Sequence, residues 1–149
     1  METTAMAHGN EATRVAGGRG RLWAGRVMSG LVVAFLLFDG GIKLAMIGPV
    51  AEGARRLGYR EGSMLGIGVV LLGCVVTYLI PRLSVFGAVL LTGYLGGAIA
   101  THVRVDNPLF THVLFPIYVA ALIWGGLYLR DARLRTFVAS LVAPRRRAA

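Results

Sequence analysis

Apolar positions gather into four long stretches with short polar breaks between them. The first covers residues 27–47, near the ~20 residues a helix needs to cross a bilayer. Its only charges are Asp39 and Lys43. The second, 63–80, holds no charge, and Pro81 and Arg82 leave room only for a tight turn before the third, 83–101. A polar loop over 102–108 precedes the fourth, 109–129, which is interrupted by His112 and Pro116. The stretches are too long and too little alternating to be strands. The pattern predicts an all-α fold, a bundle of four transmembrane helices.

The polar break between the first two stretches has its own periodicity. Pro49 suits a first helical position, and Val50, Ala54 and Leu57 share one face at helical spacing. Glu52 lies three and four residues before Arg55 and Arg56, and Gly58 sits where a helix ends. A short amphipathic helix on the membrane surface is expected here. Residues 1–21 carry Gly, Ala, Thr and Arg with few large apolar side chains, which predicts a disordered basic tail. The membrane domain then occupies 22–135, followed by a basic C-terminal tail over 136–149. No cleavage motif follows the apolar start at 27–38, so a removable leader is not expected.

Composition strengthens the membrane reading. The 149 residues are 56% hydrophobic and 15% charged, against about 25% charged in a soluble domain. Mean hydropathy is +0.67. One small core cannot hide that much apolar surface, so the lipid bilayer is the expected partner. A soluble enzyme, a coiled coil and a disordered chain are excluded as descriptions of the whole. The net charge of +9 sits at span ends rather than in a stripe, so nucleic acid is not an expected partner. Arg14, Arg19, Arg21 and Arg26, the turn residue Arg82, and Arg130, Arg133, Arg135, Arg145, Arg146 and Arg147 fall on one side of a four-span topology. Lys43, Arg55, Arg56, Arg60 and Arg104 fall on the other. The richer side is expected to be cytoplasmic, with both termini inside the cytoplasmic membrane of a bacterium.

Two polar groups could carry chemistry. Asp39 and Lys43 share a helix face within the first span, and charges at membrane depth are costly unless they face a partner or the bundle interior. One reading is an ion pair that sets helix rotation; the other is a ligand or proton site. His102, Arg104, Asp106 and His112 surround the loop between spans three and four. Histidine exchanges protons near neutral pH, and these donors would suit a ligand head with carbonyl acceptors, such as a quinone. Tyr94 lies mid-span, where its hydroxyl needs a partner, whereas Tyr59 and Tyr78 are placed as interfacial anchors. Ligand candidates are therefore Asp39, Lys43, Tyr94, His102, Asp106 and His112. No metal set is read from the spacing. Cys74, alone in an apolar run, reads as an inert core residue. Gly62 with Gly66, Gly93 with Gly97, and Gly96 with Ala100 have the small-residue spacing of close helix packing. Nucleotide-binding, zinc-protease and serine-hydrolase motifs are absent from the sequence, and no catalytic residue is assigned.

The stretch Phe38-Asp39-Gly40-Gly41-Ile42-Lys43-Leu44, with Pro49 and Leu57-Gly58-Tyr59 after it, resembles the first span and surface segment of DoxX-like membrane proteins. Thr92-Gly93-Tyr94-Leu95-Gly96-Gly97-Ala98 through His102, then Asn107-Pro108-Leu109-Phe110, resembles their third span and hairpin. Phe115-Pro116 and the run from Trp124 to Asp131 are similar to their fourth. The resemblance covers about residues 22–135. It implies a four-helix membrane bundle that serves as an accessory subunit of a membrane oxidoreductase complex. Quinone is the one ligand it suggests, and redox subunits or a second copy are the partners. A small-solute or proton-coupled transporter and a ligand-free assembly protein are the alternatives the residues leave open.

Overall fold

The computed structural model describes residues 18–45, 48–60 and 62–142. Among the described residues there are helices and turns and no strand. The order is α1 (Glu2–Leu44), α2 (Gly48–Arg56), α3 (Ser63–Leu79), α4 (Ser84–Arg104), a single π-helical turn (Leu109–Val113), α5 (Phe115–Arg130) and α6 (Ala132–Val142). The expected tails at 1–21 and 136–149 lie largely outside the described residues; 18–21 continue α1, and 136–142 belong to α6.

α1 packs against α3 and α5, and α4 packs against the same two, so the four long helices close a ring. Three described stretches are long and apolar enough to cross a membrane: Gly18–Leu44, Ser84–Arg104 and Leu109–Arg130. α3 is equally apolar but has 17 residues, which at about 1.5 Å per residue gives about 25 Å of helix. Leu31 and Phe38 on α1, Val69 and Val76 on α3, Phe86 on α4 and Ile117 on α5 point outward and are about half exposed or more. Apolar stripes this extensive on every long helix call for lipid rather than water around the bundle.

Inside the ring, Leu36, Leu71, Val75, Leu91, Ile123 and Leu127 are almost wholly buried. Cys74 is buried among them, as expected. Tyr78 is not at an interface; it is fully buried and joins every long helix. Its hydroxyl donates to the Ile123 carbonyl of α5 at 3.1 Å. With its one proton used there, it accepts from the Ser29 hydroxyl of α1 at 3.0 Å. Gly87 of α4 lies so close that a Cβ there would collide with the Tyr78 backbone. The Arg130 guanidinium stacks over the Tyr78 ring at 4.9 Å. Its Nε and Nη2 are buried with no hydrogen-bond partner, so the aromatic face is the main compensation for their lost hydration.

Close helix contact does not follow the expected small-residue pairs. Gly66, Gly93, Gly96 and Gly97 face open space. Single glycines on different helices make the crossings instead. A Cβ on Gly126 would come within 2.7 Å of Ser29 Oγ, and one on Gly25 within 2.9 Å of the Gly126 carbonyl. A Cβ on Gly68 would stand 3.2 Å from the Gly40 carbonyl. Which glycine matters depends on the face turned inward, and spacing along one helix does not state it.

α6 folds back beneath α5. Asp131 Oδ1 accepts from the backbone nitrogens of Arg133 and Leu134 at 2.8 and 3.2 Å, which caps the new helix. Arg135 donates to the free Tyr128 and Leu129 carbonyls at the end of α5. Leu134 is thereby tucked into the core.

Gly126→Ala is expected to destabilise the bundle by about 1–3 kcal/mol, the range for forcing atoms into a packed interior. Gly96→Ala, into open space, leaves stability unchanged or raises it. Thermal melts of the two variants in one detergent compare them directly, and equal losses would remove the glycine-crossing account.

Candidate functional site

At the end of the ring away from Tyr78 the helices part around a half-open cavity of about 460 Å³, within the size range of small-molecule sites. The four long helices, the π turn and the segment after α2 contribute. α1 supplies Phe35, Leu36, Asp39 and Lys43, and α4 supplies one face from Gly93 to His102. Thr111 and His112 come from the π turn, Phe115, Pro116 and Val119 from α5, and Leu57, Tyr59, Met64 and Ile67 from the α2–α3 side.

Lys43 Nζ and Asp39 Oδ2 form an ion pair at 2.5 Å, with side chains 17% and 28% exposed. The i,i+4 spacing makes the pair on the helix itself, and the rotation of α1 turns it to the cavity. Pairing uses one Lys43 N–H and leaves two. No hydrogen bond among the described residues engages the Tyr94 hydroxyl, so the partner expected for it within the protein is not there. It lines the cavity with its donor unspent.

Helix ends place the remaining polar groups. α2 closes in a Schellman motif: Tyr59 N–H bonds the Ala54 carbonyl and Gly58 N–H the Arg55 carbonyl, both at 2.9 Å. Gly58 takes the left-handed conformation this requires, φ 74°. Arg104 donates to the Leu57 carbonyl. The reversal brings Tyr59 against α4, where its hydroxyl meets Thr101 Oγ1 at 2.8 Å. Thr101 gives its own proton to the Gly97 carbonyl, so Tyr59 is the donor. Of the stretch 49–59 expected as a helix, the residues to Arg56 are helical in α2, with Glu52 paired to Arg56 at 2.7 Å.

α4 ends the same way. Asn107 N–H bonds the His102 carbonyl and Asp106 N–H the Val103 carbonyl, with Asp106 left-handed at φ 53°. Asp106 is exposed and absent from the cavity wall. Aspartate tolerates this backbone better than most residues, and helix termination is its visible work. The other five sequence candidates, Asp39, Lys43, Tyr94, His102 and His112, all line one cavity. The turn also brings Asn107 Nδ2 within 2.8 Å of His102 Nδ1. An amide N–H only donates, so Nδ1 accepts and the neutral ring carries its proton on Nε2.

The fourth stretch is not one kinked helix. Val113 and Leu114 N–H groups reach back five residues, to the Pro108 and Leu109 carbonyls. Pro116 then lies in the first turn of α5, where a missing N–H costs nothing. The extra residue in the π turn sets His112 opposite His102, with ring centroids 5.5 Å apart. Thr111 Oγ1 bonds His112 Nδ1 at 2.8 Å. Sequence reasoning missed Tyr59, Thr101, Thr111 and Asn107 as parts of the site. Gly58 was the available signal for Tyr59; none marked the π turn.

Among the described residues no cluster of three or more His, Cys, Asp or Glu side chains could hold a metal. A family model described as the DoxX-like family matches residues 27–126, a range that contains every cavity-lining residue. No curated protein and no solved structure matches the chain.

Asp106→Gly is expected to keep or raise the melting temperature, because glycine enters the left-handed region freely. Asp106→Val is expected to cost about 1–2 kcal/mol from the backbone alone. If both variants melt like the parent, the termination role assigned to Asp106 is wrong.

Proposed function

The chain belongs to the DoxX-like family, and on that footing we propose that its cavity holds the head of a quinone and that the protein serves as an accessory subunit of a membrane oxidoreductase complex. The observation that carries this reading is the balance of groups in the wall. Lys43, Tyr94 and His102 hold unspent N–H or O–H donors, set in surroundings built from Phe35, Leu36, Leu95, Phe115 and Val119. A quinone ring offers the complement: two carbonyl acceptors on a flat apolar frame. Lys43 and His102 would orient those acceptors, and Tyr94 would do so from the deeper part of α4. Bound there, a quinone would supply two-electron, two-proton redox chemistry. The protein's share is to bind, orient and keep water away, with His102 and His112 facing each other in the wall.

The reading places all four long helices across the bilayer. α3 sits in the ring between α1 and α4 and carries no charge. Its 17 residues meet the lower limit of about 17 for a crossing helix. The Ile80–Leu83 turn, closed by a Leu83 N–H to Ile80 carbonyl bond of 2.9 Å, then returns the chain at once. The excess of arginine at the Tyr78 end supports a cytoplasmic position for that end and both termini. The cavity then opens in the outer leaflet. Redox subunits or a second copy of the chain are the proposed protein partners.

Purification in mild detergent followed by extraction and mass analysis of bound small molecules tests the reading. Near-stoichiometric quinone is the expected result; bulk phospholipid alone would overturn it. Gly97 lines the cavity and a Cβ there meets nothing within 4 Å, so Gly97→Leu is expected to empty the site without lowering the melting temperature. His102→Ala is expected to reduce retained quinone by about tenfold or more, the worth of one buried hydrogen bond and its desolvated partner. Lys43→Ala is a poorer probe because it strands the Asp39 carboxylate.

A further inference from the structure

The walls of the cavity differ in what lies behind them. On one side are Thr111, His112 and the ends of α2 and α4. On another are Phe35 of α1 and Phe115 at the start of α5, whose rings meet edge to face with centroids 5.4 Å apart. Both rings line the cavity, yet they are 39% and 43% exposed. Each ring shares its helix face with other exposed apolar side chains. Phe35 follows Leu31 and precedes Phe38 on α1, and those neighbours are 65% and 67% exposed. Phe115 begins a stripe that continues through Tyr118 and Leu122 on α5, also exposed. At helical spacing each stripe is one face, and both belong to stretches long and apolar enough to cross a membrane. The Phe35–Phe115 pair thus belongs both to the cavity wall and to the exposed apolar faces of α1 and α5.

We infer that the cavity is loaded sideways from the bilayer, between α1 and α5 past the Phe35–Phe115 pair, and that its ligand is a membrane-dissolved amphiphile with an acceptor-bearing head and an apolar tail. The head meets Lys43, Tyr94 and His102, and the tail leaves through the aromatic pair into lipid. Two phenylalanines in edge contact part by side-chain rotation alone, since no hydrogen bond holds them. A charged or strongly hydrated solute would lose its hydration at this point without compensation, so the pair also selects by polarity. The inference rests on the cavity being a ligand site, as proposed above, and extends that reading from the identity of the head to the route and class of the whole molecule.

Thiol labelling in proteoliposomes tests the route without needing the ligand. Cys74→Ala removes the native thiol, and Gly97→Cys places one in the cavity, where a Cβ meets nothing within 4 Å. Gly93→Cys, equally open and also in the wall, is the second reporter should Gly97→Cys fail to fold. Val69→Cys, on an exposed face of α3, reports reactivity in the lipid itself. The probes are an uncharged pyrene maleimide and a sulfonate-bearing methanethiosulfonate. The expected result is that the maleimide labels the cavity thiol, faster with Phe35→Ala or Phe115→Ala and slower with Phe35→Trp. The sulfonate should label it roughly a hundredfold more slowly, as the cost of a charge at membrane depth implies. Comparable labelling by both reagents, unaffected by the phenylalanine variants, would overturn lateral loading and leave a ligand site open to water. Labelling of Val69→Cys alone would mean a closed cavity and overturn this inference and the ligand-site reading together.

Discussion

One buried hydroxyl organises this bundle. Tyr78 lies where water cannot reach, so its O–H must find protein partners or cost free energy. It finds Ser29 on α1 and Ile123 on α5, and the α3 backbone beneath it admits α4 only because Gly87 has no side chain. In lipid, apolar contact gives little preference for one helix arrangement over another. A directional bond between three helices, with a fourth held at contact distance, supplies that preference. The Arg130 guanidinium over the ring adds a charge that is best placed with the tyrosine beneath it.

The consequence appears at the other end. α1 and α5 are drawn together through Gly25 and Gly126, and α3 and α4 are joined by a tight turn, near Tyr78; at the far end α1 still meets α3 at Gly40 and Gly68, and the cavity opens beside that crossing. The gap is lined rather than filled because Gly93 and Gly97 face it without side chains. Three pieces of irregular backbone furnish it. Two left-handed helix ends, at Gly58 and Asp106, reverse the chain so that Tyr59 and Asn107 fall beside α4. The π turn rotates His112 toward His102. The irregular backbone thus gathers around the cavity, as irregular turns often do at functional sites.

Much of this was legible in the chain. The four apolar stretches, the short α2 and its stop at Gly58 follow from periodicity and from the backbone freedom of glycine. Five of the six candidate residues line one cavity; four of them stood out because a charge or an imidazole near a membrane is costly enough to be conspicuous. Asp106 stands outside the cavity wall, at the end of α4, and a carboxylate that ends a helix looks in sequence like one that faces a cavity. Tyr78 was misplaced because a position near a span end suits an interfacial anchor, whereas here the tight turn after Ile80 folds α4 over it. The glycine pairs misled because spacing along one helix does not say which face turns inward.

The solvent, the helices and the kinds of group available for chemistry are written in the chain, since those follow from local hydropathy, spacing and charge cost. The chain determined that Asp39 and Lys43 would meet, because four residues on a helix is one turn. That this pair, Tyr94, His102 and His112 share one cavity with Tyr59, that Asn107 bonds His102, and that Phe35 meets Phe115 in the cavity wall came only with the packing of the helices. Those are relations between residues up to about eighty positions apart. They depend on helix rotation and crossing, which are set by a few buried contacts around Tyr78 and not by any pattern a single segment carries.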